Sequence, residues 1–311
     1  DLEGKRGGCA VRGDREGTLY SLVYRRLISR NVDPVEKKPL FHFAPGSRSF
    51  SIATAGCNFR CDFCQNYEIS QMPREENRIT GQDTAPEEIV AMAKQTGCRT
   101  IAYTYTEPTI SFEYAFDIAR IASREGLKNL FVTNGYMTEE ALRTLHPHLH
   151  GANVDLKAFR DEFYRSRCGA RLEGVLESLR VMRGLGVWVE ITTLIIPGLN
   201  DSEEELRDLA AFIASLGKEV PWHISRFHPM YKMLDRSPTS VRILEGARKI
   251  GLEAGLRYVY TGNVPGDPGE DTYCHRCGHR LVDRLGFRIL KYEVKEKKCP
   301  KCGTPVDGVD L

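Results

Sequence analysis

Short, strongly apolar runs alternate along this chain with longer stretches in which apolar residues recur every three to four positions. Residues 49–54, 100–105, 128–133, 153–156, 187–196 and 222–227 read as strands, with 258–261 a last short one. Between them, 110–124 and 172–183 carry amphipathic helical spacing, and another helix begins near Thr138. Thr84-x-x-Glu87, with Pro86 in the first turn, reads as a capping box. Ser202-x-x-Glu205 caps a further helix, and Ser237-Pro238 opens one running to Glu253. Regular strand–helix alternation predicts an α/β fold, a partial parallel (β/α)6-type TIM barrel. A doubly wound open sheet is the rival, but no Gly-rich dinucleotide turn follows the first strand. The Gly- and Pro-rich stretch 262–269 reads as a linker. The expected division is an N-terminal extension over 1–45, the barrel over 46–265 and a small appendage over 266–311.

Composition narrows the function classes. Of 311 residues, 41% are hydrophobic and 28% charged, as in ordinary globular enzymes. Lys plus Arg number 44 against 42 Asp plus Glu, a formal net charge of +2. That balance argues against wrapping nucleic acid or lying on an anionic membrane as the main task. No apolar run approaches the ~18 residues a membrane span needs, and the start has no apolar stretch of the secretory kind. A cytoplasmic protein is expected.

The ten cysteines change the picture most. In a long chain without an export signal, close Cys spacings read as metal sites and not disulfides. Cys274-x-x-Cys277 and Cys299-x-x-Cys302 are matched knuckles, each followed by Gly. Four thiolates of this kind make a tetrahedral site, with 281–292 as the intervening hairpin, so the appendage reads as a zinc ribbon or a rubredoxin-like unit. Spacing alone does not choose between Zn and Fe. His275 and His279 sit beside these thiols as neighbours, because four sulfurs already fill the site. Lys295, Lys297 and Lys298 read as a solvated face.

Cys57-x3-Cys61-x2-Cys64 offers three ligands where a [4Fe–4S] cluster has four irons, which leaves one iron open to an exogenous ligand. The triad follows the first barrel strand at its carboxyl end, where barrels place chemistry. Polar residues end the later strands: Glu107, Asn134, Asp155 with Lys157, Asn200-Asp201, and His223 with His228. On one rim they would make a pocket for a zwitterionic, nucleoside-bearing ligand. Cys98 reads as a buried small hydrophobe. Cys168 reads as structural, or as a catalytic thiol facing the pocket. The histidines of 146–150 read as a solvated loop.

The triad, with Phe63 at its aromatic position, resembles the signature of the radical S-adenosylmethionine (SAM) superfamily. The resemblance implies that Cys57, Cys61 and Cys64 ligate a [4Fe–4S] cluster whose open iron chelates SAM, with reductive cleavage to a 5′-deoxyadenosyl radical. Cys64-Gln65-Asn66, the Val154 to Lys157 stretch and Ile196 to Asp201 are similar to glycyl-radical-enzyme activases. There Tyr105-Thr106-Glu107-Pro108 stands where the activases have Gly-Gly-Glu-Pro, which implies a SAM-amino contact for Glu107. Phe63, Asn134, Asp155, Lys157 and His223 become candidate SAM contacts on the same ground. Residues 4–12, 19–24, 33–43, 45–47 and 103–109 extend the resemblance to the AmmeMemoRadiSam-system radical SAM enzymes. That family implies Memo-type and AMMECR-type partner proteins and a flavodoxin or ferredoxin reductant, and it leaves room for an extra metal site at Cys9. The expected activity is hydrogen abstraction from a protein or small-molecule substrate. The alternatives are an RNA- or nucleobase-modifying enzyme that docks through the ribbon, and a non-catalytic metal-binding scaffold.

Overall fold

The computed structural model describes residues 6–311. Gly4 and Lys5 of the resembling stretches lie outside the described residues. β1 (Arg12–Arg15) and β2 (Thr18–Ser21) form a hairpin of their own. The main sheet holds β3 (Arg26–Pro34), β4 (Arg48–Thr54), β5 (Gln82–Asp83), β6 (Thr100–Tyr103), β7 (Lys128–Thr133) and β8 (Gly151–Asp155). It continues with β9 (Trp188–Ile195), β10 (Trp222–Arg226) and β11 (Val259–Gly262), in the order 11-10-9-8-7-6-4-3-5. β4 and β6 to β11 run parallel, and β3 pairs antiparallel with both β4 and β5. A separate antiparallel sheet, β12 (Thr272–Tyr273), β13 (Arg280–Leu285) and β14 (Arg288–Tyr292), carries the C-terminal knuckles.

Side chains alternate across this sheet, and the alternation positions the site. Phe50, Ile52, Ile101, Phe131, Val154, Ile191, Trp222 and Ile224 pack with the crossover helices in one large core. The intervening residues, among them Ser49, Ser51, Asn153, Glu190, Thr192 and His223, belong to the opposite face. An all-parallel sheet is ordinarily apolar on both faces, so a polar inner face marks a lined interior. Residues 35–44 lie across that inner face from one edge of the sheet to the other. Val35, Leu40, Phe43 and Ala44 pack on Ala102 and Leu130. Further along the same segment, Asn153 donates to the Pro39 carbonyl at 2.7 Å and Phe41 meets His223 and Tyr260.

Within the extension expected over 1–45, β3 joins the main sheet. β3 supplies the hydrogen-bonding partner that the outer edge of β4 requires. The capping registers also shift. The helix Pro86–Gln95 is capped by Ala85, whose N–H donates to Glu88 at 2.6 Å, and not by Thr84 with Glu87. Ser240, not Ser237, caps Val241–Glu253. Ser202 does cap Glu203–Leu216, but Glu205 turns away from it to accept the Phe159 N–H at 2.6 Å. Strand β6 stops at Tyr103 because Tyr105 takes a φ of +66°, with the Thr106 N–H returning 2.8 Å to the Thr104 carbonyl. Tyrosine there adopts the conformation a glycine adopts freely. Its hydroxyl, 2.5 Å from Asp33 Oδ2, holds the turn in place.

Candidate active site

A cavity of about 540 Å³ opens at the carboxyl ends of the parallel strands. Its lining brings together Cys57, Cys61, Cys64, Phe63, Glu107, Asn134, Asp155, Lys157 and His223. Residues of 36–41 and of the ribbon hairpin tip, Gly286 and Phe287, complete the wall.

The cysteine loop follows β4 and is pinned from two sides. Arg60 and Asp62 donate their N–H groups to the carbonyls of Cys168 and Arg167, at 2.9 and 3.1 Å. Those acceptors lie at the end of a π-turn over Tyr164–Cys168, closed by Gly169 at φ +69°, where a Cβ would strike the Arg60 side chain. On the other side Arg74 donates to the Cys57 carbonyl at 3.0 Å and to the Phe59 carbonyl at 3.1 Å. Around the thiols, Phe59 N–H lies 3.3 Å from Cys57 Sγ, Asn134 Nδ2 lies 3.8 Å from it, and Ser70 Oγ lies 3.2 Å from Cys64 Sγ. Burial raises the Cys57 and Cys64 thiols, and a hydrogen bond from Cys168 lowers Cys61.

Glu107 is buried between strand ends. Its Oε1 accepts from Thr109 N–H, Thr109 Oγ1 and Thr133 Oγ1 at 3.0, 2.6 and 2.8 Å, whereas among the described residues Oε2 accepts only the Asn134 N–H, at 2.8 Å. Burial nevertheless pushes its pKa upward. Lys157 bonds Asp155 at 2.9 Å and stands 5.9 Å from the Phe63 ring centre. Burial draws its pKa down, but Asp155 and the nearby thiols outweigh that and hold it charged. Cys168 is corrected: it is fully buried behind Cys61 and is absent from the cavity wall, because the π-turn points it into the core. Asn200 serves the loop backbone, donating to the Lys157 and Leu194 carbonyls at 2.7 and 2.9 Å.

His223 falls in a second group, apart from the cysteines. Its Nε2 lies 2.7 Å from Glu190 Oε2, which also accepts the Phe41 N–H at 2.9 Å. Glu190 Oε1 takes the His42 N–H and Trp188 Nε1, at 2.8 and 3.1 Å. Burial works against its charge, but the hydrogen bond with His223 and the other donors leave its pKa lowered. The sequence reading missed Glu190, although an acid inside a mostly apolar strand was the available signal. It also missed Lys38 and Asp33, paired at 2.6 Å beside the cavity.

His42 supplies a pH test. Its Nδ1 lies 2.6 Å from the Asp307 carbonyl and its Nε2 2.6 Å from the Tyr260 hydroxyl, and burial lowers its pKa to about 4. Between pH 6.5 and 4 the unfolded chain holds a proton that the folded one lacks, so stability falls on acidification by ~1.4 kcal/mol per unit. Denaturant unfolding should lose about 2 kcal/mol between pH 6.5 and pH 5, and His42→Gln should flatten that slope. Equal slopes in both proteins would refute it.

The C-terminal cysteines converge differently. The four Sγ atoms lie within 4.8 Å of one another, with Cys274–Cys302 at 3.6 Å and Cys277–Cys299 at 3.7 Å. Tetrahedral thiolates around one ion stand ~3.8 Å apart, so the set fits a single ion. The knuckles repeat one another: Gly278 and Gly303 donate to Cys274 and Cys299 at 2.9 Å, each with positive φ. Hydrogen bonding by Thr304 draws the Cys302 thiol down to about 6. His275 faces Tyr258 and His279 pairs with Glu293, so neither is needed as a ligand. Among the described residues the triad forms no such tight group. Its three thiols line one end of the cavity, a donor set that suits a polynuclear centre with each sulfur on its own metal atom.

A sequence profile of the Radical SAM superfamily matches residues 51–212. An uncharacterized protein of Methanocaldococcus jannaschii, MJ0808, is 46% identical over 99% of this chain and 92% of its own length. A pyruvate formate-lyase-activating enzyme of Clostridium pasteurianum is 25% identical over 68% of this chain and 91% of its own. In structure the chain is similar to a radical SAM methyltransferase from Sphaerobacter thermophilus, with a TM-score of 0.56, 18% identity and coverage of 73% and 71% of the two chains.

Proposed function

Because the chain belongs to the radical SAM superfamily, we propose that Cys57, Cys61 and Cys64 hold a [4Fe–4S] cluster and that this enzyme abstracts hydrogen from a substrate bound in the same cavity. The observation that carries this is the convergence of the three thiols, Glu107, Asn134 and the Asp155–Lys157 pair on one cavity at the strand ends. Bound and reduced, such a cluster would supply one electron to the sulfonium of SAM, whose C5′–S bond would break to leave methionine and a 5′-deoxyadenosyl radical.

The protein's part is binding and orientation. Glu107 Oε2 carries one internal donor and so retains capacity for the SAM ammonium, while Oε1 is saturated by the threonines. Lys157, charged and steered by Asp155, stands ready for the carboxylate or ribose. Phe63 gives the loop an apolar face, and Asn134 bonds Asn58 at 2.7 Å, which fixes it beside Cys57. We read the parallel strands as a partial barrel and the C-terminal unit as a ribbon holding Zn or Fe, with the chain divided at 1–45, 46–265 and 266–311. Memo-type and AMMECR-type proteins and a flavodoxin or ferredoxin are the partners to supply in the assay.

The test is anaerobic reconstitution with iron and sulfide, reduction with SAM present, and chromatography of 5′-deoxyadenosine, with and without those partners. Product is expected, and its absence from a fully loaded, reducible cluster would refute the reading. Glu107→Ala should weaken SAM binding by ~10- to 100-fold, the worth of a hydrogen bond to a charged group, with the cluster's absorbance intact. Loss of the cluster in that variant would contradict the role.

A further inference from the structure

The nature of the substrate can be argued from the end of the cavity farthest in sequence from the cysteine loop. Residues 35–44 form one wall of that end, lying across the inner face of the sheet. Phe41 and His42 give their N–H groups to the buried Glu190 carboxylate, at 2.9 and 2.8 Å. Arg284, from β13 of the ribbon, stands 4.2 Å over the Phe41 ring and donates to the Phe41 carbonyl at 3.3 Å. The hairpin tip beyond it is fixed as well, since the Gly286 N–H donates to Glu270 Oε2 at 3.0 Å. Buried, charge-assisted bonds of this kind make a wall and not a loose lid.

Within the wall, His223 is held on three sides. Its Nε2 is on Glu190 at 2.7 Å, its ring stacks 5.1 Å from Tyr260, and the Phe41 edge meets it at 4.7 Å. The ring lines the cavity. Nδ1 has no protein partner among the described residues. With Nε2 engaged by the carboxylate, the ring's other nitrogen is the one left to hydrogen-bond a ligand. Thr192, Ser225 and Asn263 surround it as further hydrogen-bonding groups.

We infer that the substrate is a small polar molecule and that a hydrogen-bonding group of it binds Nδ1 of His223. This rests on the reading of the cavity as the radical site. His223→Gln is the diagnostic variant: the glutamine amide can keep the bond to Glu190 but has nothing at the position of Nδ1.

The probe is an extract of Methanocaldococcus jannaschii cells, split by ultrafiltration into small-molecule and macromolecular fractions. The small-molecule fraction should raise 5′-deoxyadenosine formation above the rate without additions, and His223→Gln should lower that stimulation ratio at least tenfold. Stimulation by the macromolecular fraction alone, by neither fraction, or equally in the variant would overturn the inference. A parallel arm dialyses unreduced protein against the small-molecule fraction and identifies retained compounds by mass spectrometry. Compounds kept by the native protein and lost by His223→Gln support the site, and none retained counts against it. If no 5′-deoxyadenosine forms under any condition, the radical reading fails, while the dialysis still decides whether His223 binds a small molecule.

Discussion

Alanine at Cys57, Cys61 or Cys64 is expected to abolish both the reconstituted cluster and the formation of 5′-deoxyadenosine, with the fold intact. Changing a residue that merely orients a metal ligand costs 10- to 100-fold, so removal of a ligand should exceed ~10²-fold. The fold should survive because the loop is held by its backbone. The Arg60, Asp62 and Arg74 bonds involve main-chain atoms and none of the three sulfurs. Iron content, the visible absorbance of the cluster and far-ultraviolet circular dichroism together check the outcome. An alanine variant that retains iron and activity would remove that cysteine from the ligand set. Cys168→Ala should behave differently, keeping cluster and product, since Cys168 is sealed behind Cys61.

Cys302→Ala should have the opposite signature. The ribbon's own core is small: Leu281, Val282, Val294 and Val306 around the cysteines. Units of this size depend on their ion, which in structural zinc sites contributes an apparent ~10–16 kcal/mol. Loss of one thiolate should therefore release the ion and unfold residues 272–306, read as metal content and as rapid hydrogen exchange confined to that region. The triad's cluster should remain. Unaltered exchange protection would show that the unit folds without metal.

Legibility differed by the range of the interaction. The knuckles and the triad were plain because the spacing of thiols within a few residues is itself the chemistry. Strands such as β7 and β9 were plain because their apolar side chains face the helices. Caps were misplaced by one to three residues where several polar residues competed, as at Thr84 and Ala85. What could not be read was long-range. Glu190 has meaning only once residues 41 and 42 lie against it, almost 150 positions away in the chain. Lys38 and Asp33 sit in a segment whose crossing of the sheet no local pattern announces. Cys168 was ambiguous because a π-turn, and no sequence period, decides which way it points.

The wall built from both ends of the chain has a consequence for biosynthesis. Phe43 pairs with Val309, His42 meets the Asp307 carbonyl, and Arg257 grips Asp307 at 2.9 Å. The contacts of residues 42 and 43 with residues 307 and 309 span more than 260 positions and form late, since the cost of closing so long a loop must be met first. Residues 307–309 reach residues 42 and 43 only once they have emerged from the ribosome, so in a nascent or C-terminally truncated chain the segment crossing the inner face of the sheet would lack this outer support.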